Sequence, residues 1–244
     1  MAKWHGKNVR VYVDGYDLSG YSSSLSIEQN ADIVDVAAFS SSAKEYVVGL
    51  FDSIVNTDGF FDDTANIGDY AVLSARIGSA VNFMALIGAN PGGYGFAGSA
   101  ELEAMYDIAA SITGAVTRKA KLTNSGTQGI DNTITIAARG TIPAGTTQAV
   151  TTTPSSIAGG RAYIQNFGSY GLTSGTGGAL GTVWLIGGAD AAFSVGTAII
   201  AAFGSQGTAP SASGLAFTGT AQFMKLLQGG GTFMPQVAVA VDLN

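Results

Sequence analysis

A mainly β fold with one flanking helix is what this sequence predicts, and three of its features carry that prediction. Apolar residues alternate with others near both ends of the chain: Val9, Val11 and Val13 with Arg10 and Tyr12 between them, and Val237, Val239 and Val241 in the last strand-like run. An alternation of period two puts one set of side chains on each face of a half-buried strand. Two Asp-Gly pairs, Asp14-Gly15 and Asp58-Gly59, punctuate strand-like runs, and Gly tolerates the positive φ that a tight hairpin turn requires. Finally, Gly supplies 35 of 244 residues without a collagen-like period, the composition of a chain with many turns and bulges.

The first strand, 8–13, reverses at Asp14-Gly15. Leu18-Ser19-Gly20-Tyr21 leads into a strand at 24–28, and 33–39 gives a third. Ser40, Ser41, Ser42, Ala43, Lys44 and Glu45 form a polar loop. Tyr46 to Leu50 then passes into a strand over 53–62, which completes an antiparallel meander. Over 64–78, Ile67, Tyr70, Leu73 and Ile77 fall at helical spacing on one face. Thr64 or Asn66 is the cap of this helix, Asp69 sits in its first turn, Arg76 in its last, and Gly78 is its stop. Val81 to Ile87 reads as a buried strand and 90–95 as a turn cluster. The run 100–108 contains good helix formers, but Glu101, Glu103 and Asp107 alternate with Leu102, Ala104, Tyr106 and Ile108, which favours a strand with its carboxylates on a wet face.

Val116 to Thr123 holds the one basic cluster, Arg118, Lys119 and Lys121, which is solvated on a helix or a strand alike. A contact with an acidic neighbouring subunit is the other reading. Thr133 to Arg139 is a strand. The Thr-, Ser- and Pro-rich stretch 143–158 has the composition of a linker and divides a β domain at 1–142 from a C-terminal β domain at 159–244. There, strand-like runs at 161–167, 182–186, 191–195, 215–218, 222–227 and 236–241 recur between Gly-rich turns and predict a β-sandwich. The segment 196–203 reads as a strand or a short helix.

The order of the opening block resembles a known family. The Asp14-Gly15 turn, Leu-Ser-x-Tyr at Leu18 to Tyr21, a Ser-rich strand, Lys-x-Tyr-x-x-Gly-Leu-x-Asp at Lys44 to Asp52, and Asp-Gly-Phe-Phe-Asp at Asp58 to Asp62 are similar to the N-terminal half of tail tube (major tail) proteins of long-tailed bacteriophages. The resemblance implies a tail-tube-like β-sandwich or barrel in which each subunit gives strands to a shared inner barrel. It also implies rings of six subunits, stacked into a channel for DNA ejection, with other virion tail proteins as partners and DNA only as transiting cargo. The long C-terminal half departs from the compact members of that family.

Composition points the same way. Apolar residues make up 46% and charged residues 11% of the chain, against about 25% charged in ordinary soluble domains, so much of the surface is expected to be covered in an assembly. A β-rich monomer solubilised by Ser, Thr and Gly is the plainer alternative. Acid is concentrated early: up to Ala110 there are 14 acidic and 5 basic residues, net −9, and from Ser111 onward 3 and 6, net +3. An acidic surface repels phosphate, which argues against specific nucleic-acid binding and suits a wall past which DNA slides. No apolar run reaches the ~20 residues of a membrane helix, and Met1 to Gly6 has no apolar core of a signal peptide. Synthesis in the cytoplasm, without a membrane partner, is therefore expected, and the resemblance implies that this cytoplasm is a host cell's and that the protein's place is the virion tail.

Catalytic chemistry finds little support. Cys is absent and His5 is the sole histidine, which leaves no thiolate site, no ligand set at metal spacing and no Ser-His-Asp or Cys-His triad away from the N-terminus. Asp62-Asp63 and Glu101/Glu103 supply, in principle, a carboxylate pair for glycoside cleavage, but acids of this kind are far commoner in solvated loops. Gly92-Gly93-x-Gly95 and Gly229 to Gly231 lack the Lys-Ser/Thr that follows a phosphate loop. No enzyme, cofactor or metal is expected. Ser40, Ser41, Ser42, Lys44, Glu45 and Tyr46 are expected to touch the next ring, and Glu28, Asp32, Asp35 and Asp58 to face the lumen. The alternatives are a phage capsid decoration or surface protein whose C-terminal domain binds glycans, and a secreted carbohydrate-active enzyme.

Overall fold

A computed structural model describes residues 6–37, 43–88, 90–125, 129–141, 149–151, 157–167, 182–188, 198–205, 211–221, 223–229 and 236–242. The fold is mainly β. Its strands are β1 (Arg10–Val13), β2 (Tyr16–Asp17), β3 (Ser22–Asp35), β4 (Tyr46–Phe60), β5 (Ala80–Leu86), β6 (Tyr94–Ala109), β7 (Thr117–Thr123), β8 (Asp131–Thr141), β9 (Ala149–Thr151), β10 (Ile157–Asn166), β11 (Thr182–Gly188), β12 (Ala198–Ser205), β13 (Ser211–Ala221), β14 (Phe223–Gly229) and β15 (Gln236–Asp242). Among the described residues the one α-helix, α1, is Asp69–Leu73.

The chain forms two compact units that interleave along the sequence: Met1–Gly20, Val81–Ser99 and Asp131–Asn244 in the first, Tyr21–Ala80 and Ala100–Ile130 in the second. They do not coincide with a domain at 1–142, a linker at 143–158 and a domain at 159–244. The cause is strand pairing, because β15 lies beside β8 with Val241 opposite Ile134, so the end of the chain shares a sheet with residues 131–141. Most of 143–158 lies outside the described residues, and within it Ala149–Thr151 is a strand paired with β14.

In the first unit, strands run in the order β13-β10-β15-β8-β6-β5-β1-β2, and β12-β11-β14-β9 form a separate four-stranded sheet. The β1–β2 hairpin turns at Asp14 and Gly15, both with positive φ (46° and 81°), between the paired residues Val13 and Tyr16. Two positive φ values in sequence are the turn whose twist matches antiparallel strands. Asp14 accepts a backbone hydrogen bond from Asn82 at 2.8 Å, which fixes the turn against β5. The half-buried expectation for β1 fails: Val11, Tyr12 and Val13 are all buried. Tyr12 belongs to a core cluster with Met84, Leu86, Phe167, Ala238 and Ala240, and packs edge-on against Phe167 at 4.9 Å. The last strand is likewise buried on both sides, from Ala238 to Val241. The run expected at 81–87 is the buried β5. Those expected at 161–167, 182–186, 215–218, 222–227 and 236–241 are strands, and 196–203 falls mostly in β12. The run at 191–195 and His5 lie outside the described residues.

In the second unit the order is β3-β4-β7-β6, with β6 contributing Leu102 to Ala109. The two short strands expected at 24–28 and 33–39 are one 14-residue strand, β3, and β4 is 15 residues long. Asp58-Gly59 is not a turn but lies inside β4. Gly is needed there because a Cβ would sit 2.0 Å from the carbonyl oxygen of Tyr21, which accepts the Phe60 amide at 2.8 Å. The helix is also shorter than its pattern. It is capped by Gly68 rather than Thr64 or Asn66, and a 3-10 turn, Ser74–Arg76, continues it. Gly78, with φ 78°, is the expected stop. With five residues it buries Asp69, Val72 and Leu73, while Ile67, Tyr70 and Ile77 stay exposed.

Directly opposed residues of an antiparallel pair share a face. Val55, Thr57, Arg118, Ala120 and Leu122 make the buried face. Glu101 and Glu103 belong with them and are fully buried, contrary to the wet face expected for them. A bulge explains the error: Glu103 lies opposite Leu122, but Met105 lies opposite Lys121. The extra residue reverses the alternation, so only Asp107 reaches the exposed face.

Candidate functional site: an assembly surface

The β3–β4 hairpin is longer than the sheet that supports it. β7 covers β4 only from Ile54 to Phe60, and the amide of Asn124 bonds the carbonyl of Ser53 at 3.0 Å where that support ends. Among the described strands β3 pairs with β4 alone. From Gln29 to Asp35 and from Tyr46 to Ser53 the two strands therefore continue as a two-stranded ribbon, with a register shift between Ala31 and Ile33. The sequence makes it apolar where no described strand covers it. Ile33, Val34, Val36, Tyr46, Val47, Val48, Leu50 and Phe51 are all exposed, from 48% at Val36 to 72% at Phe51 and 81% at Leu50. A two-stranded ribbon is marginal alone in water, its free edges are templates for pairing, and a contiguous exposed apolar patch marks an interaction surface.

The far end of the ribbon carries Lys44, Glu45 and Tyr46, three of the residues expected to touch the next ring. Asp35 lies opposite Tyr46, the Val36 amide donates to the Glu45 carbonyl at 2.8 Å, and the Asp35 carboxylate accepts the Ala37 amide at 3.0 Å. Lys44 Nζ stands 4.0 Å from Asp35 Oδ2, both well exposed, a contact of little energetic weight. Ser40, Ser41 and Ser42 lie outside the described residues.

The four carboxylates expected in the lumen do not form one set. Glu28 and Asp58 share the exposed face of the sheet, where Glu28 opposes Ile54 and Asp58 opposes Ser24. Ser24 donates to Asp58 at 3.1 Å. Asp32 sits at the register shift beside Gly49, and Asp35 belongs to the tip with Lys44. Asp52, opposite Asn30, and Asp107, opposite Lys119, join the face that Glu28 and Asp58 occupy.

Sequence reasoning missed the polar centre at the ribbon's root. Arg118 is not solvated but fully buried, its Nε 3.0 Å from Asp69 Oδ2. Its Nη1 donates to the Thr57 carbonyl at 2.8 Å and hydroxyl at 3.1 Å, and its Nη2 to Ser22 at 3.0 Å. Asp69 also accepts the Tyr106 hydroxyl at 3.1 Å and the Asp62 amide at 2.6 Å. One guanidinium thus ties α1 to the first residues of β3 and the supported end of β4. Burial lowers the Arg118 pKa, and the Asp69 carboxylate opposes that shift. Burial, helped by Asp69, raises that of Tyr106. At the entry to α1, the Thr64 hydroxyl and amide hold Asp62 below the ordinary carboxylate range. The signal was present: Arg118 has the parity of Ala120 and Leu122, the apolar side of its strand.

Among the described residues no group of three or more His, Cys, Asp or Glu side chains could hold a metal ion, and no helix is long and apolar enough to cross a membrane. A scan against protein-family models finds no match, nor does a search of curated proteins. Solved structures do give likenesses. A chain from the virion of a native gene transfer agent particle matches with a TM-score of 0.41 and 21% identity, over 51% of this chain and 95% of that one. A chain from the C6-symmetric tail of an empty gene transfer agent particle matches at 0.40 and 21%, over 51% and 96%. The Dit protein of SPP1, described as a hub of the adsorption apparatus in phages infecting Gram-positive bacteria, matches at 0.30 and 11%, over 96% and 98%.

Proposed function

We propose that this chain is a structural protein of a phage tail, a tube subunit that forms rings of six, and that the rings stack into a channel for DNA ejection. One observation carries the reading: the β3–β4 ribbon exposes apolar side chains on both faces and edges that no described strand pairs, which a second copy is suited to cover. β3 is an outer strand of the second unit's sheet, and β6 beyond Met105 has no further strand beside it among those described. Joining such edges around a ring removes them, as closure of a barrel does. In this arrangement the tip, with Lys44, Glu45 and Tyr46, meets the next ring, and the face bearing Glu28 and Asp58 lines the bore. The motifs from Leu18 to Tyr21 and from Lys44 to Asp62 support the same reading.

Negative-stain microscopy of the purified protein tests it. Stacked rings or tubes are expected. Dispersed monomers that decorate capsids when added to particles would refute the tube and favour a surface protein instead.

A further inference from the structure

Resting on the channel reading above, we infer that the exposed face of the second unit's sheet is self-neutralised toward a polyanion, and that Asp58 and Asp107 are the residues that neutralise it. The partner class is the phosphate backbone of double-stranded DNA, which passes this face without adhering.

The sequence offers Arg118, Lys119 and Lys121 within four residues, the makings of a phosphate-binding patch. Strand geometry divides them. Arg118 turns to the buried face, where Asp69 holds it, and Lys119 and Lys121 reach the other face. There the register sets Lys119 between two carboxylates, Asp58 on β4 and Asp107 on β6. Directly opposed side chains on a sheet have Cβ atoms roughly 4.5–5.5 Å apart, so each carboxylate stands within easy reach of the ammonium group. Lys121, opposite Asn56 and Met105, has the same two carboxylates at diagonal positions, about 7–8 Å away. Farther along the face come Glu28 and Asp52. The titratable groups of this face, among the described residues, are thus Glu28, Asp52, Asp58 and Asp107 against Lys119 and Lys121. No cation is left without a nearby carboxylate, and the surplus is negative. A phosphate approaching Lys119 meets Asp58 and Asp107 in the flanking register positions, and their charge opposes its binding.

The test is binding of labelled double-stranded DNA to the full chain, dispersed and assembled, across a salt series. Wild type is expected to bind no DNA at physiological salt. Asp58→Asn with Asp107→Asn frees both lysines. Asn keeps the acceptor for Ser24, so the fold is preserved, and a thermal melt verifies this. The double variant is expected to bind DNA with a log–log salt slope of about −2, one unit per lysine, and adding Lys119→Ala and Lys121→Ala is expected to abolish that binding. A folded double variant that binds no better than wild type overturns the inference, as does wild-type binding that depends on these lysines. Should the Asn pair unfold, Asp58→Ser with Asp107→Ser asks the same question. Microscopy of the same samples separates the two claims: tubes without a gain in DNA binding sink the neutralised face alone, whereas an absence of tubes sinks the channel reading itself.

Discussion

Replacing Leu50 and Phe51 by Thr probes the ribbon most sharply, because both side chains are largely open in the free chain, at 81% and 72%. Thr keeps β-propensity, so the strand itself should persist. Fully burying a Leu or Phe side chain is worth about 1.5–3 kcal/mol. Scaled by the fraction still open, and reduced for the methyl that Thr retains, the two together contribute roughly 2–4 kcal/mol to an interface that covers them. At 1.4 kcal/mol per factor of ten, that is on the order of 30- to 700-fold in the concentration needed for assembly. Sedimentation over a concentration series measures the shift, and a thermal melt of the dispersed protein serves as control. The melt should be unchanged. If the variant assembles at the wild-type concentration, the ribbon is not the interface. If the dispersed variant loses stability instead, these residues are already covered in the free chain.

Three further outcomes follow from the same geometry. Arg118→Ala strands Asp69 in a buried site and should cost about 3–5 kcal/mol, whereas Arg118→Met with Asp69→Leu, which removes both charges, should cost much less. Urea unfolding distinguishes them, and equal losses would mean that packing rather than charge governs the site. Gly59→Ala places a Cβ against the Tyr21 carbonyl and should destabilise by about 1–3 kcal/mol, so an unchanged unfolding midpoint would contradict the close approach. Stability should fall at high pH. Burial pushes the Tyr12 phenol up to about 12, so its contribution is complete below about pH 10, where unfolded Tyr titrates, and is lost as pH rises toward 12. Tyr12 accounts for roughly 2–3 kcal/mol of that fall at most, and Tyr12→Phe should lessen it by about that much when unfolding is compared on either side of the window, while Tyr106 and Tyr163, whose phenols burial also raises, keep their shares.

Period-two alternation located most strands but misjudged burial wherever both faces are covered, as at β1 and β15. It also divided β3 in two. Gln29, Asn30 and Asp32 interrupt the apolar alternation between the two runs, yet they are polar because that strand stands exposed and not because the chain turns. Asp58-Gly59 carries a turn's composition for another reason, the close approach of Tyr21. Within the candidate site, the polar loop before Tyr46 was legible from its composition, whereas the four acids expected to face a lumen, Glu28, Asp32, Asp35 and Asp58, fall at separate places on the ribbon and sheet. The apolar ribbon was not legible as an exposed surface, since which strands lack neighbours is decided by pairings that are distant in sequence. The same holds for Lys119, whose flanking acids come from β4 and β6.

Hydrogen exchange of the backbone amides in dispersed and assembled protein bears most directly on the claim that another copy completes the ribbon. Amides from 29 to 35 and from 46 to 52 should exchange fast in the dispersed chain and become protected on assembly, with 54 to 60 slow in both. Equal protection of the ribbon in the two states would contradict it.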